Sequence, residues 1–563
     1  MADFPRLVWR LAALALIVLL VVAHYGLAFR FALGTFFWDD YSLLHYLVSL
    51  HHEDLSGAFR ETFAQQNEHR IGLPRLLTLL VQRSFGHLDW YVLNALANLS
   101  ALGIGWLGLR VLHRLGLSVV YAVPVAFFLF QPQYYENVFW TISVLQQLVI
   151  LFLALLVMSL LPRPSTGSFA WALGLTFMAT FSNGNGMFIF LAGLPVLLAQ
   201  RRWRHLGVWA GVMVASIALY FYGLQQGQNA NFAGSLSDPL RLLGGLFVFL
   251  GAFTDAFAAA NTTAALLGGL VLVGGLTVFS GWVFWLSFSR RRPTPTSDDF
   301  FIVGSFVFLA LTAAAATLSR SWAGWEVLMA SRYQHYTAIT LMLAYLALVR
   351  TTAPTPRRWV VAGSTVLGSL FCFFSYTTYT ERVVEFYQRT SAETFNWRHN
   401  GHFVSYPPFM NLSMKATVDE AVGRGIQRFP RPAFTAFETR LLLPPDTARL
   451  VSVALRLNRV SGMIGNESRP FLRVEADSLP PAPGKPDGGT YLVLKSDRHT
   501  YLMATHQRTA GRRTLLRTGR FWADGFHADV LLQSLPSGTY RVGLYRYDGS
   551  GHSLVYTRYV ITV

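Results

Sequence analysis

Apolar runs of membrane-crossing length recur along the first 377 residues, and a water-soluble fold does not accommodate so many. A span takes about 20 predominantly apolar residues. Eleven segments meet or approach that length, near 7–29, 90–109, 117–131, 138–161, 168–182, 186–199, 206–223, 262–288, 300–318, 335–349 and 358–377. Lipid offers no hydrogen bonds to a backbone, so each run is predicted to be a helix. Only 13% of residues are charged, about half the share in soluble domains. The Gly-rich stretch 240–258 holds Asp255 and leads into Asn261-Thr262-Thr263. It is expected in the interface or as a re-entrant segment, because a twelfth crossing would break the pattern of arginines in the connections. The first run follows Arg6 and Arg10 and exceeds a signal-peptide core, so it is expected to be retained.

The net charge of +17 resembles a nucleic-acid signal, but its placement argues for membrane topology. Arg6 and Arg10, Arg110 and Arg114, Arg201, Arg202 and Arg204, Arg290 to Arg292, and Arg350, Arg357 and Arg358 all stand in short connections. They share one face if the N-terminus is cytoplasmic and eleven spans are real. Everything after residue 378 then lies outside, and no nucleic-acid partner is expected. Cys372 is the single cysteine, so no disulfide forms within the chain.

The first outer loop, 31–89, breaks the charge rule with Arg60, Arg70, Arg75 and Arg83. Ile71, Leu73, Leu76, Leu77, Leu80 and Val81 recur at helical spacing. That predicts an amphipathic helix in the headgroup plane, and Tyr41–His52 is a second candidate. From about 437 the texture changes to alternation. Leu450–Leu457, Thr490–Leu494 and Thr539–Tyr545 read as strands, separated by turns such as Pro536-Ser537-Gly538 and the stretch 548–551. The expected organisation is a transmembrane domain at 1–377, a mixed outer linker at 378–436 and a β-sandwich at 437–563.

Candidate chemistry collects in the outer loops. Asp39-Asp40 follows the first span, where carboxylates are costly to hold near lipid and tend to be functional. One such carboxylate can take a proton from a hydroxyl while the other orients it or holds a divalent cation. Asn67-Glu68-His69-Arg70 gathers an acid, an imidazole and a guanidinium; Arg suits bidentate phosphate contacts and His exchanges protons near neutral pH. His51-His52-Glu53-Asp54 lacks the spacing of strong metal motifs. Glu136 lies in the second outer loop, alone among apolar residues. Ser182-Asn183-Gly184-Asn185-Gly186 reads as a tight turn whose glycines permit close approach. The loop 319–335 carries Arg320, Arg332, Tyr333 and His335 among tryptophans, as would suit a lipid phosphate at headgroup level.

A first span, an acid pair opening a long outer loop with amphipathic helices, further spans and an outer C-terminal domain together resemble the GT-C superfamily of polyprenyl-phosphate-sugar glycosyltransferases. The resemblance covers the architecture of the whole chain, and its short motif, Asp39-Asp40, is persuasive by placement. It implies a GT-C-like helical membrane bundle and an inverting transfer, metal-dependent or metal-free, in a bacterial cytoplasmic membrane. Asp39 or Asp40 would be the base. Arg70, Arg320 and Arg332 would hold the donor phosphate, with Glu68, His69, Glu136, Tyr333 and His335 as further polar residues. The donor would be a polyprenyl-phosphate-linked sugar and the acceptor a glycan, lipid or protein hydroxyl. The outer β-domain is similar to that of bacterial arabinofuranosyltransferases. The alternatives are a polymerase or ligase of lipid-linked glycans, and a transporter or flippase. The second would predict mid-membrane charges and related halves, and neither is visible.

Overall fold

The computed structural model describes residues 4–225, 227, 231–289, 294–445, 450–464, 467–482, 488–548 and 551–563. The arginine cluster 290–292 and the centre of the turn 548–551 lie outside them. The described chain is mostly helical, with a β-rich C-terminal region. Two compact units form: one of Met1–Ala28, His52–Leu80 and Val92–Tyr379, the other of Phe29–His51, Val81–Tyr91 and Thr380–Val563.

The first unit is a helical bundle. Among the described residues, eight helices are long and apolar enough to cross a membrane, and shorter apolar helical stretches cover Val119–Tyr134 and Gly184–Ala199. Each predicted apolar run coincides with helix. The stretch expected at the interface is counted among the eight: it is an α-helix over Pro239–Gly251, extended by a 3-10 turn to Ala256. It packs backbone to backbone on the helix Thr262–Ser289. A Cβ on Gly251 would stand 1.9 Å from the Ala265 carbonyl oxygen, and one on Gly269 would stand 1.8 Å from that of Phe247. Small residues admit such a close approach where lipid supplies no hydrophobic drive.

Both helices expected in the first outer loop form, as Tyr41–Ser49 and Gly72–Phe85, with a further one at Leu55–Phe63. The amphipathic reading of Gly72–Phe85 is inverted at Arg75. That side chain is buried, and its Nη1 donates to the Ala64 carbonyl at 2.8 Å, whereas Leu76 and Leu80 are exposed. A guanidinium that satisfies main-chain carbonyls is less costly inside than spacing alone suggests. Leu55 and Phe59, one turn apart, are exposed as well, an apolar surface suited to lipid.

In the second unit, the segment read as a mixed linker is largely ordered helix. The helix that begins at Pro354 continues to Asn400, and another covers Pro408–Gly423. The prolines 407 and 408 start that helix rather than break it, since Pro is tolerated in the first helical turn. Beyond it two four-stranded antiparallel sheets share a core. With β1 and β2 reserved for a hairpin at Gln65–Gln66 and His69–Arg70, the strands are β3 Arg456–Ile464, β4 Glu467–Ala476, β5 Gly489–Lys495, β6 Thr500–Ala504, β7 His506–Thr509, β8 Trp522–Val530, β9 Thr539–Tyr547 and β10 His552–Thr562. The sheet orders are β10-β9-β5-β6 and β3-β4-β8-β7. Val474, Phe526 and Val530 of one sheet meet Leu492, Leu494 and Val542 of the other in that core. The predicted strand at Leu450–Leu457 forms only from Arg456; before it there is a lone bridge from Val451 to Thr557. β5 is buried on both faces because Tyr491 and Val493 pack on Ala392 and Phe395 of the long helix.

Candidate functional site

The acid pair belongs to the second unit, and the two carboxylates differ. Trp38–Asp40 is a 3-10 turn leading into the helix Tyr41–Ser49, and Trp38 takes the left-handed φ of +47°. A bulky residue there is strained, and surrounding contacts must hold it. One is a hydrogen bond from the Trp38 N–H to the Tyr406 hydroxyl, 2.9 Å. Asp40 is fully buried, and its Oδ2 accepts from the Phe37 N–H at 2.9 Å, as the third residue of a capping box does. Asp39 is half-buried. Burial and then the Asp39 charge push the Tyr41 hydroxyl pKa up.

Beside this turn, Glu393 is buried and accepts from the backbone N–H groups of Val404 at 3.0 Å and Ser405 at 2.7 Å. The Arg389 guanidinium stands 4.9 Å from the centre of the Phe37 ring. A cavity of about 10 Å³ lies among these side chains, room for a single water. Burial pushes the Tyr406 hydroxyl pKa up, so it remains a neutral hydrogen-bonding group.

In the first unit, Asn67-Glu68-His69-Arg70 is the tip and second strand of the β1–β2 hairpin, with Gln65 opposite Arg70 and Gln66 opposite His69. Asn67 turns the chain at φ +49°, a conformation Asn tolerates. Arg70 is committed to the main chain: Nε donates to the Tyr220 carbonyl at 2.8 Å, Nη1 to that of Phe63 at 2.7 Å and Nη2 to that of Tyr222 at 2.5 Å. Three of its five donors are thus held, and its role here is to lock the hairpin rather than to offer a free fork.

Glu68 and His69 open onto a cavity of about 590 Å³ that also takes in Arg320, Tyr333, Asn185 and Gln147. Its walls are apolar at Phe188, Phe221, Leu224, Phe232 and Phe249. Arg320 ends the helix Ser297–Arg320, where a cation complements the helix dipole. It has no hydrogen-bond or ion-pair partner among the described residues. The expected turn forms, with Asn183 Oδ1 accepting from the Gly184 N–H at 3.0 Å. Gly186 is required: a Cβ there would stand 2.0 Å from the Ala179 carbonyl oxygen. Burial lowers the His69 pKa to about 4, so this imidazole is neutral at pH 7. Burial would raise the Tyr333 pKa, but Arg320 and Arg332 together more than offset it and the net shift is downward. At the Tyr333 hydroxyl the field of these two guanidiniums is positive.

Arg332, Glu136 and His335 form a separate network. Glu136 Oε2 accepts from the Arg332 N–H at 2.9 Å and lies 3.9 Å from its guanidinium. Asn137 Nδ2 bonds both the Arg332 carbonyl and His335 Nδ1. Ser331 Oγ donates to the Gln133 carbonyl at 2.8 Å. These contacts tie the loop after Phe130 to the loop before the helix Gln334–Thr351. Arg332 also stands over the Tyr333 ring at 5.2 Å, and it does not line the cavity.

Of the predicted residues, the structure therefore gathers Glu68, His69, Arg320 and Tyr333 around one cavity. Gln147, Thr312, Tyr220 and Tyr336 also line it and were not anticipated. A signal existed for Gln147: Gln146-Gln147 is an amide pair inside an otherwise apolar run, and polar groups in spans are expensive unless used. Among the described residues no three His, Cys, Asp or Glu side chains gather as a metal-ligand group, and Asp40 is turned into its cap. Comparison with protein-family models, curated proteins and solved structures gave no match.

Proposed function

We propose that this chain is an integral membrane glycosyltransferase that moves a sugar from a polyprenyl-phosphate donor to an acceptor hydroxyl at the outer face of a bacterial cytoplasmic membrane. The observation that supports it most is the cavity of the first unit. It combines a guanidinium without a described partner, at Arg320, with neutral polar groups and apolar walls. A lipid phosphate needs that combination: a fixed cation for the phosphate, hydrogen-bonding groups for the sugar, and apolar surface for the first isoprene units.

In this scheme the acceptor oxygen attacks the anomeric carbon as the bond from that carbon to the phosphate oxygen breaks. The acceptor proton passes to a carboxylate, and polyprenyl phosphate leaves with the bond's electron pair. Arg320 stabilises the charge growing on the phosphate, which a preorganised cation does well in a site poor in water. Asp39 is the base that the resemblance implies, since Asp40 is buried and engaged by the Phe37 N–H. Glu68, which lines the same cavity as Arg320, is the carboxylate against which that role is to be tested.

The test is transfer by the purified full chain in lipid nanodiscs, given a short-chain polyprenyl-phosphate sugar and a mixture of glycan and lipid acceptors. Release of polyprenyl phosphate that depends on Arg320 is the expected result. No release and no donor binding across neutral pentose and hexose donors would remove the proposal.

A further inference from the structure

Resting on that reading of the cavity, we infer that its turn-lined end is built to read an uncharged, hydroxyl-bearing sugar and to reject a carboxylated one. The decisive feature is a directional chain of three side chains. Asn185 Nδ2 donates to the Tyr336 hydroxyl at 2.8 Å, and that hydroxyl donates to Gln147 Oε1 at 2.6 Å. Tyr336 is buried and has one proton to give, so it donates to one amide and accepts from the other. This leaves Asn185 Oδ1 buried without a partner and the Gln147 amide hydrogens without one among the described residues. One acceptor and one donor are thus left over from the same array. Flipping both amides exchanges the two roles and still leaves one of each.

A sugar hydroxyl both donates and accepts, so it satisfies such a pair. A carboxylate only accepts, and would set oxygen against oxygen at one of the two amides. Thr312 Oγ1 is a further buried hydroxyl in the cavity wall without a partner, and it is equally neutral. The imidazole of His69 adds no charge at neutral pH. The cavity's charged side chains are Arg320 and Glu68. With Arg320 given to the phosphate, a second anion would meet Glu68 and no remaining cation. Unsatisfied buried polar groups are what make such a site selective, because a ligand that cannot pair them bears their desolvation cost.

The experiment measures equilibrium binding of three probes to the full chain in nanodiscs: a short-chain polyprenyl phosphate, the same lipid carrying a neutral hexose or pentose, and the same lipid carrying a uronic acid. The neutral-sugar lipid is expected to bind roughly tenfold more tightly than the bare lipid phosphate, the order of one good hydrogen-bonded pair. The uronic-acid lipid should bind no more tightly than the bare one. Gln147→Leu and Asn185→Leu should each erase the gain from the neutral sugar while bare-lipid binding persists, which also shows that the variants fold. If bare lipid binds through Arg320 but the uronic-acid lipid binds as tightly as the neutral one, the selectivity is overturned and the proposed function stands. The same holds if the gain survives both variants. If bare lipid phosphate does not bind, or binds equally well to Arg320→Ala, the functional proposal and this inference fall together.

Discussion

The His69 imidazole lies against the backbone of Gly184: a Cβ there would stand 2.8 Å from its Nδ1 and 3.2 Å from the Tyr220 hydroxyl. The glycine's backbone is unstrained, so its value is space for the ring and not conformational freedom. Gly184→Ala should displace His69 within an otherwise intact turn. Misplacing a site group by about 1 Å can cost on the order of 100-fold in rate. The expected outcome is a roughly ten- to hundredfold loss of turnover, with the melting temperature nearly unchanged. Steady-state kinetics and thermal unfolding in detergent check both halves.

Arg320 is expected to contribute through geometry as well as charge. Arg320→Ala should weaken donor binding strongly. Arg320→Lys should remain clearly impaired, because an ammonium cannot offer the planar fork that pairs two phosphate oxygens. Arg332→Ala should affect loop stability more than donor affinity, since that side chain is engaged by Glu136 and Tyr333. Donor titrations with each folded variant decide between these roles.

The two aspartates should separate cleanly. Asp39→Asn is expected to lower turnover by about 10²–10⁴-fold, the usual contribution of a general base, with folding intact. Asp40→Asn should keep most activity because the amide oxygen can still accept from the Phe37 N–H. Asp40→Ala should cost about 1 kcal/mol of stability through the lost cap. Near-normal turnover in Asp39→Asn together with a large loss in Glu68→Gln would move the base to the cavity carboxylate.

The His69 pKa, lowered to about 4, carries a pH signature with a definite sign. Below pH 6.5 the unfolded chain takes up a proton that the folded chain does not, so folding loses stability as pH falls from about 6.5 toward 4. Below about 4 the difference stays constant. Thermal unfolding of His69→Gln against the parent chain between pH 4 and 7 should show a smaller decline in the variant.

Topology turns on the helix Pro239–Gly251. Its 13 α-helical residues rise about 20 Å, and only with the 3-10 turn to Ala256 does the stretch approach a hydrocarbon core of roughly 30 Å. A twelfth crossing would break the arginine pattern of the connections, so a reporter at residue 259 is expected outside, with reporters at 203 inside and 480 outside. A cytoplasmic signal at 259 and at 480 would make this helix a full crossing.

The helices were legible because apolar runs of span length have few alternatives in lipid, and the strand positions β5 and β9 because their alternation is local. The extended helix to Asn400 was less so. Its second half has no apolar run, and what holds it is Tyr491 and Val493 of β5, some 100 residues away. Likewise Asp39 and Asp40 are indistinguishable as letters, and only the turn at Trp38 assigns one to a cap.

The sequence by itself determined that this chain carries many helices long and apolar enough to cross a membrane, followed by a β-rich C-terminal region, since hydrophobic period and run length are properties of neighbours. It also singled out most of the polar residues worth examining. Only the tertiary structure decided which of them act together. Arg70 and Arg320 look alike in the sequence, yet one guanidinium is consumed by three main-chain carbonyls and the other is left facing a cavity. The physical reason is that a side chain's availability is set by what surrounds its donors, and those surroundings come from segments far apart in the chain.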